Sequence, residues 1–420
     1  MNSRNKLKAQ WNKIFLIFSW ALYDTANQFF VLNIISLYFV RWITLEKNIP
    51  EIFYGFAFGF STFLVAVLSP VLGAIADITG RHRPGFIAFT LICILFTICL
   101  SFTQNAFIAL IYFALANLGC QTAIIFYNAL MLNVAPKNRT GLVSGIGKVF
   151  GYLGAIIALA FIAPQAQNRG YPAVFFLTGV LFMLFSLPAM VFIKDKPADT
   201  SRTLKELLKK KAVFGVFARL GDTFFTKHRF LGLRDFLKAV FCALCVINVC
   251  MLFMSVYITK VFKLPEAEII KFILFATVFA LLGSFCGGIF SDRIGHKKAM
   301  IIVLALWLAG IMAAGLVSAP YYWVVGVLGG ISLGATWVIL RALAIELAPE
   351  GKIGEIFGLF NLMGYLAAIV GPLIWGVLLI FLAPWGELGY RVALICFAPF
   401  LVAALIFMLR LLRTDELETI

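Results

Sequence analysis

The stretch Gly73-x-x-x-Asp77-x-x-Gly80-Arg81-x-Arg83 lies between two long apolar runs. It recurs 215 residues later as Gly288-x-x-x-Asp292-Arg293-x-Gly295-x-x-Lys298, with the glycines, the aspartate and the closing cation kept. A motif that recurs at half the chain length indicates a duplicated architecture, because fixed-period self-similarity is the sequence signature of structural repeats. We therefore predict two related halves, each carrying one copy of this loop.

The composition is that of a membrane protein. Of the 420 residues, 62% are hydrophobic and 13% are charged, whereas a soluble domain has about a quarter charged residues. The net charge of +16 does not indicate nucleic-acid binding, because the Lys and Arg residues lie in the short gaps between apolar runs, where topology signals are found. We expect the bilayer, and no nucleic acid, as the macromolecular environment.

Twelve apolar runs approach or exceed the roughly 20 residues that a spanning helix needs. They are 14–40, 51–76, 84–103, 106–134, 140–163, 172–193, 236–260, 267–291, 298–318, 321–347, 354–382 and 389–411. We predict an all-α membrane protein of twelve transmembrane helices, with six-helix bundles over 1–193 and 236–420 joined by a basic linker, 194–235. This linker is either solvated throughout or contains a short amphipathic helix near 203–218 on the lipid surface.

Basic residues predict the orientation of the chain. Most of the 35 Lys and Arg residues lie in the tails and in the gaps after every second helix. Under the positive-inside rule, both termini and 194–235 are cytoplasmic. The first apolar run is too long for a cleavable signal peptide, so we expect an integral protein of the cytoplasmic (inner) membrane.

A second repeated pattern supports the duplication. Asn128-Ala-Leu, Ala135-Pro136 and Gly151-Tyr-Leu recur at an offset of 213 as Arg341-Ala-Leu, Ala348-Pro349 and Gly364-Tyr-Leu. Helices four and five thus correspond to helices ten and eleven. Two six-helix halves in parallel repeat are typical of one large class of secondary transporters.

Both copies of the loop motif resemble the cytoplasmic loop motif of the major facilitator superfamily. A narrower resemblance lies in Ser19-Trp20-Ala-Leu-Tyr23-Asp24-x-Ala26-Asn27, in Phe126-Tyr127-Asn128-Ala129-Leu130 and in Ser144-Gly145-x-Gly147-x-x-x-Gly151-Tyr152-Leu153-Gly154. These segments resemble the "unknown major facilitator" family, which is related to fungal vacuolar amino-acid effluxers. The resemblance implies the major facilitator fold, transport by alternating access and an amino-acid-like solute.

Charged residues inside spans mark solute or ion pathways, because a charge in hydrocarbon is costly. Asp24 is expected to titrate a coupling proton or to hold a cationic group; the alternative is a permanent ion pair that positions helix one. Lys148 is either the partner of Asp24 or snorkels to the interface. Arg341 could grip a carboxylate in bidentate fashion, so that Asp24 and Arg341 together would suit a zwitterion.

Further polar side chains within spans are candidates to line the pathway. These are Tyr23, Asn27, Gln28, Asn128, Tyr152, Asn248, Asn361 and Tyr365. The alternative role for such groups is hydrogen bonding between helices. Gly141, Gly145, Gly147, Gly151 and Gly154 form small-residue seams on helix five, which predict close helix packing and a smooth sliding face.

The repeated loops are predicted to form a gate at the cytoplasmic side. Asp77 with Arg81 and Arg83, and Asp292 with Arg293 and Lys298, would form ion pairs that break on opening. Glu346 is expected to join them. Gly73, Gly80, Gly288 and Gly295 belong to the same predicted gating motif, and their shared spacing favours a gate. The alternative is that the cations serve topology alone.

Several function classes are excluded by missing motifs. No G-x-x-x-x-G-K-[ST] loop is present, so ATP is not the direct driver. Neither the three histidines nor the eight cysteines have the spacing of a metal or catalytic site. We predict a monomeric secondary transporter of a small polar solute that is no enzyme, has no cofactor and is driven by the proton gradient. The alternatives are a transporter of a siderophore or drug-like compound, facilitated diffusion, or a non-transporting receptor or scaffold.

Overall fold

The computed structural model describes residues 3–134, 140–195, 232–347 and 353–418. Residues 196–231, which hold most of the predicted linker 194–235 and the predicted helix near 203–218, lie outside this part of the chain. The described ranges consist of helices joined by short turns.

Six helical segments precede residue 196. They are α1 (Ser3–Phe30, continued by the π-helical stretch Val31–Leu37, the α-helical turn Tyr38–Arg41 and the π-helical stretch Trp42–Glu46), α2 (Glu51–Thr79), α3 (Arg83–Cys99), α4 (Ala106–Val134), α5 (Thr140–Ile157, continued by the π-helical stretch Ala158–Ile162 and by Ala163–Arg169) and α6 (Tyr171–Phe192).

Six further segments follow residue 231. They are α7 (Leu233–Tyr257, continued by the π-helical stretch Ile258–Phe262), α8 (Glu266–Ile294), α9 (His296–Leu316), α10 (Trp323–Glu346), α11 (Ile353–Leu382) and α12 (Gly386–Ile395, then Ala398–Glu418).

These segments make twelve membrane crossings. Length and hydropathy alone delimit 11 candidate spans within the described residues, the last of which covers Gly358–Leu411, 54 residues. At 1.5 Å per residue such a helix would measure about 80 Å, far more than the roughly 30 Å hydrocarbon core. The chain turns at Ala383–Trp385, where Gly386 has a φ of 55°. This span is therefore two crossings, α11 and α12, and the predicted all-α, twelve-helix fold is confirmed.

The two copies of the loop motif have the same backbone form. Helices α2 and α8 are each 29 residues long and begin and end 215 residues apart. Each is followed by a glycine with positive φ, 61° at Gly80 and 90° at Gly295. Residues with a Cβ avoid these angles, which explains why the motif has glycine at both positions.

The packing partners repeat as well. Helix α1 packs on α5 and α6, and α7 packs on α11 and α12; likewise α3 packs on α4 and α6, and α9 on α10 and α12. By contact the chain divides into a first unit, residues 1–47 and 60–216, and a second unit, residues 48–59 and 217–420. Apart from residues 48–59, each unit corresponds to one repeat.

The first turns of α2 pack within the second unit, although sequence order puts them in the predicted 1–193 bundle. A Cβ added at Gly376 would lie 2.6 Å from Ile52 Cα, which leaves no room for a side chain, and one added at Gly55 would lie 3.0 Å from the Pro372 carbonyl oxygen, a tight contact. The Tyr390 hydroxyl donates a hydrogen bond to Glu51 Oε1. Two glycines that let backbones approach thus join residues 48–59 to α11.

Candidate functional site

Asp24 lies on α1, where it meets α4 and α5. The Tyr127 hydroxyl of α4 donates a hydrogen bond of 2.9 Å to Asp24 Oδ2, and the same hydroxyl lies 3.0 Å from the Trp20 carbonyl oxygen. The Asp24 side chain is half-buried. A donor aimed at a carboxylate is a strong, charge-assisted contact, so Tyr127 fixes the position of this group.

Aromatic rings hold Tyr127 in place. The Trp20 ring stacks on the Tyr127 ring with centroids 4.5 Å apart, and the Tyr23 ring lies 4.6 Å from the Tyr127 ring. The Trp20 indole also donates to the Tyr127 carbonyl oxygen at 3.3 Å. Residues 20, 23 and 24 share one helix face because three or four positions make one turn.

The glycines of α5 form the wall beside Asp24. A Cβ built on Gly147 would overlap Asp24 Oδ2 and would lie 2.7 Å from Trp20 Cζ3. One on Gly154 would lie 2.8 Å from the Thr25 carbonyl oxygen, and Thr25 Oγ1 donates to the Phe150 carbonyl oxygen at 2.9 Å. The predicted close packing of α1 on α5 is therefore present at Gly147 and Gly154, whereas Gly151 has more room. The surroundings of Gly141 and Gly145 lie outside the described part of the structure.

The depth of Asp24 follows from its neighbours. Tyr127 lies seven residues before the end of α4, and Gly147 lies seven residues after the start of α5. At 1.5 Å per residue both are about 10 Å from the helix ends. The carboxylate thus lies about two helical turns from these helix ends, which are predicted to be cytoplasmic.

Lys148 lies near Asp24 without contacting it. Its side chain is exposed, and its charge is close enough to act on the Asp24 carboxylate. Within the described residues no ion pair of 4.0 Å or less involves either group. A direct Asp24–Lys148 ion pair, one of the two sequence interpretations, is thus not formed in this conformation.

The other predicted residues of the first unit differ in exposure. Asn27 of α1 faces α4, where its Oδ1 accepts a hydrogen bond from Cys120 Sγ at 3.0 Å. Gln28 and Tyr152 are half-buried, and Asn128 is exposed. Tyr23 is fully buried, with its hydroxyl 3.4 Å from Thr90 Oγ1.

In the second unit, Asn248 is hydrogen-bonded within its own helix: its Nδ2 donates to the Leu244 carbonyl oxygen at 2.8 Å. Arg341 and Asn361 are exposed, and Tyr365 is half-buried.

Three pairs of these residues occupy equivalent places in the two repeats. Asn128 and Arg341, Lys148 and Asn361, and Tyr152 and Tyr365 are each 213 positions apart. The first two pairs are exposed in both units, and the third is half-buried in both. We call these six residues the polar repeat positions. The equal offset and matching exposure place these three pairs at equivalent helix positions of the two units.

In the first copy of the loop motif, Arg83 contacts α6. Its Nε donates to the Met190 carbonyl oxygen at 2.9 Å, and its backbone N–H donates to Asp195 Oδ1 at 3.0 Å. Arg81 is exposed. The side chain of Asp77 and the surroundings of Gly73 lie outside the described part of the structure, so its predicted ion pair stays a prediction.

In the second copy the charged residues point outward. The exposed side chains are Asp292, Arg293, Lys298 and, at the end of α10, Glu346. None of them takes part in an ion pair with another described residue. Gly288 lies in α8, where an added Cβ would make an ordinary contact with Val338. The predicted gate at these positions stays a prediction.

Comparison with known proteins decides the family. A family model for the Major Facilitator Superfamily matches residues 24–286 and 239–419. The chain belongs to the Major Facilitator Superfamily. The uncharacterised transporter YxiO of Bacillus subtilis is 25% identical to this superfamily member over 382 residues, covering 86% of this chain and 87% of that protein.

Two further matches extend the comparison. The gentisate transporter of Corynebacterium glutamicum is 24% identical over 347 residues, covering 80% of this chain and 74% of that protein. The crystal structure of the nucleoside transporter NupG superposes with a TM-score of 0.72 at 16% identity, covering 95% of this chain and 98% of that chain. This likeness shows the shared fold.

Sequence analysis of this Major Facilitator Superfamily protein missed three contributors to the sites. Tyr127 was quoted in a motif without a role; its spacing gives no hint of Asp24, 103 residues away. Trp20 could have been found, since it shares a helix face with Asp24. Asp195 gave no signal, because its contact with Arg83 depends on the packing of α3 against α6.

Proposed function

We propose that this Major Facilitator Superfamily transporter is a secondary transporter that moves a small polar solute by alternating access and couples it to a proton at Asp24. The proposed energy source is the proton gradient, with no ATP and no bound cofactor. The observation that carries the proposal is the half-buried Asp24 carboxylate, bonded by Tyr127 and set against the glycine seam of α5.

A coupling proton suits this carboxylate. A charge inside a membrane protein is costly, and protonation of Asp24 removes it while the contact with Tyr127 can persist with donor and acceptor exchanged. The ionisable groups facing Asp24 are Tyr127 from α4, Lys148 from α5 and Tyr23 from its own helix. Helix α6 also packs on α1 and carries no ionisable side chain after Tyr171.

The solute path is proposed to include the polar repeat positions. Polar groups exposed on equivalent faces of both units suit a solute that is handled by each repeat during alternating access. A relative that is named a gentisate transporter supports a small organic solute. The resemblance to fungal effluxers keeps an amino acid among the candidates. The proposed location is the cytoplasmic membrane, with both termini in the cytoplasm and the protein monomeric.

The test uses purified full-length protein in proteoliposomes with an imposed pH gradient. Radiolabelled leucine, benzoate and gentisate serve as probes, and a pH-sensitive dye inside the vesicles reports proton movement. We expect Asp24→Asn to abolish accumulation against the gradient while its thermal unfolding matches that of the wild type. Glu46→Gln, which removes an exposed carboxylate from the other end of the same helical segment, is the control and should accumulate solute normally.

Two results would oppose the proposal. Undiminished accumulation by Asp24→Asn would remove the proton role of Asp24. Absence of flux for every probe with the wild-type protein, under either direction of gradient, would count against transport of a small polar solute.

A further inference from the structure

We infer that the solute is an organic anion, and that Lys148 and Arg341 each recognise its carboxylate. This inference rests on the proposed function, because it names the class of the solute at the same polar repeat positions. It departs from the zwitterion that sequence analysis favoured.

Two exposed asparagines, Asn361 and Asn128, lie inside their helices and away from the helix ends. Asn361 is exposed and lies eight residues into α11, about 12 Å from its start. Asn128 is exposed six residues before the end of α4, about 9 Å inside. Both residues lie within candidate membrane spans, where an amide facing lipid would lose its hydrogen bonds. These two positions therefore face water.

The two cations lie at the repeat equivalents of these asparagines. Lys148 occupies the position of Asn361, and Arg341 occupies the position of Asn128, at the same offset of 213. Both cations are exposed. Since the equivalent places in the two units face water, the cations face water also, and snorkelling through lipid is not required to explain them.

The charges of Lys148, Arg341 and Asp24 differ in whether they already have a partner. Among the described residues, neither Lys148 nor Arg341 has a hydrogen bond or an ion pair. Asp24 lies near Lys148, but its Oδ2 accepts from Tyr127 and is covered by Gly147. Within the described residues these positions thus offer two unpaired cations, near which the first unit has one half-buried carboxylate that already accepts a hydrogen bond.

This balance favours an anion over the other solute classes. Lysine and arginine bind carboxylates through charge-assisted hydrogen bonds, and arginine can do so in bidentate fashion. An ammonium group would meet like charge at either cation. The carboxylate near Lys148, the half-buried Asp24, already accepts a hydrogen bond from Tyr127 and lies against Gly147. The hydroxyls of Tyr152 and Tyr365 are on the same helix faces and can bind further polar groups of the solute.

The experiment measures uptake into proteoliposomes of lactate, succinate, benzoate and gentisate as anions, leucine as a zwitterion and ethidium as a cation. Lys148→Gln and Arg341→Gln are compared with Lys194→Gln and Arg169→Gln, which remove exposed cations of the same types elsewhere. We expect at least one anion to be taken up, and a loss of tenfold or more with each of the first two variants. The two control variants should transport like the wild type, and all four should unfold at the wild-type temperature.

The outcomes distinguish a failure of the anion class from a failure of the proposed transport function. Uptake of leucine or ethidium without uptake of any anion would overturn the anion class and leave the proposed transport intact. Anion uptake that is unchanged in both Lys148→Gln and Arg341→Gln would overturn their role. No uptake of any probe by the wild type would count against the proposed function itself.

Discussion

Arg83, at the start of α3, binds the end of α6, and Asp195, three residues after α6, binds the start of α3. The Arg83 guanidinium donates to the carbonyl oxygens of Met190 and Val191 at the end of α6, and the Asp195 carboxylate accepts from the backbone N–H groups of His82 and Arg83 at the start of α3. Each charge therefore meets the helix end of opposite partial charge. The last cation of the first loop motif has a structural role within its own unit.

We predict that Asp195→Ala destabilises the protein by about 1–2 kcal/mol, the usual cost of losing a side chain that caps a helix start. Chemical unfolding of the purified protein in detergent, followed by tryptophan fluorescence, measures the change. Lys194→Ala is the matched control, because the Lys194 side chain is exposed and only its carbonyl oxygen is bonded, by Asn133. Equal stability of the two variants would contradict the capping role.

Sequence patterns predicted most of the fold for a physical reason. Spanning helices need long apolar runs, and a repeat preserves both helix length and the glycines that take positive φ. The two loop-motif glycines that take positive φ, Gly80 and Gly295, lie 215 positions apart. Contacts made by short helical segments left no such trace: nothing in the sequence of residues 48–59 indicates that Ile52 packs on Gly376.

The candidate site was predictable only in part. Asp24 was found because a carboxylate in an apolar run is conspicuous. Its partners depend on how α1, α4 and α5 pack, so Tyr127 could not be assigned from spacing. Lys148 was open between partner of Asp24 and an interfacial side chain; its charge lies near Asp24, but a direct ion pair between described residues is not formed, because the lysine side chain points to an exposed face.

The glycine seam gives a sharp comparison between two neighbouring positions. Gly147→Ala would put a methyl group 2.7 Å from Trp20 Cζ3 and into the Asp24 carboxylate. We predict a loss of about 1–3 kcal/mol of stability, as for other overpacked sites, together with reduced proton-driven uptake. Gly151→Ala adds a methyl group 3.9 Å from the Asp24 carbonyl oxygen, an ordinary contact. Its stability should be unchanged or slightly raised by helix propensity, and similar losses in both variants would argue against this packing.

The hydroxyl of Tyr127 can be removed while its ring stays stacked on Trp20. We predict that Tyr127→Phe lowers proton-driven uptake and costs about 1–3 kcal/mol, because a hydrogen bond to a charged group is lost. Tyr23→Phe is the control in the same aromatic cluster. Its hydroxyl contact with Thr90, at 3.4 Å, is long, so its removal should cost under about 1 kcal/mol. Uptake and chemical unfolding measure both variants, and an unimpaired Tyr127→Phe would exclude a role for this bond.

The attachment of residues 48–59 to the second unit can be measured by hydrogen exchange. Tyr390 donates to Glu51 at the start of α2, and Tyr54 packs edge-on against Phe253 with centroids 5.8 Å apart. Tyr390→Phe keeps the ring and removes the donor, so the first turn of α2 loses about 1 kcal/mol of local stability at this half-exposed site. Amide exchange over residues 48–59, followed by mass spectrometry, should become about fivefold faster, since 1 kcal/mol corresponds to that factor. Tyr321→Phe, at a tyrosine that is 66% exposed, should leave the exchange unchanged; an equal effect of both substitutions would show that Glu51 and Tyr390 do not hold this segment.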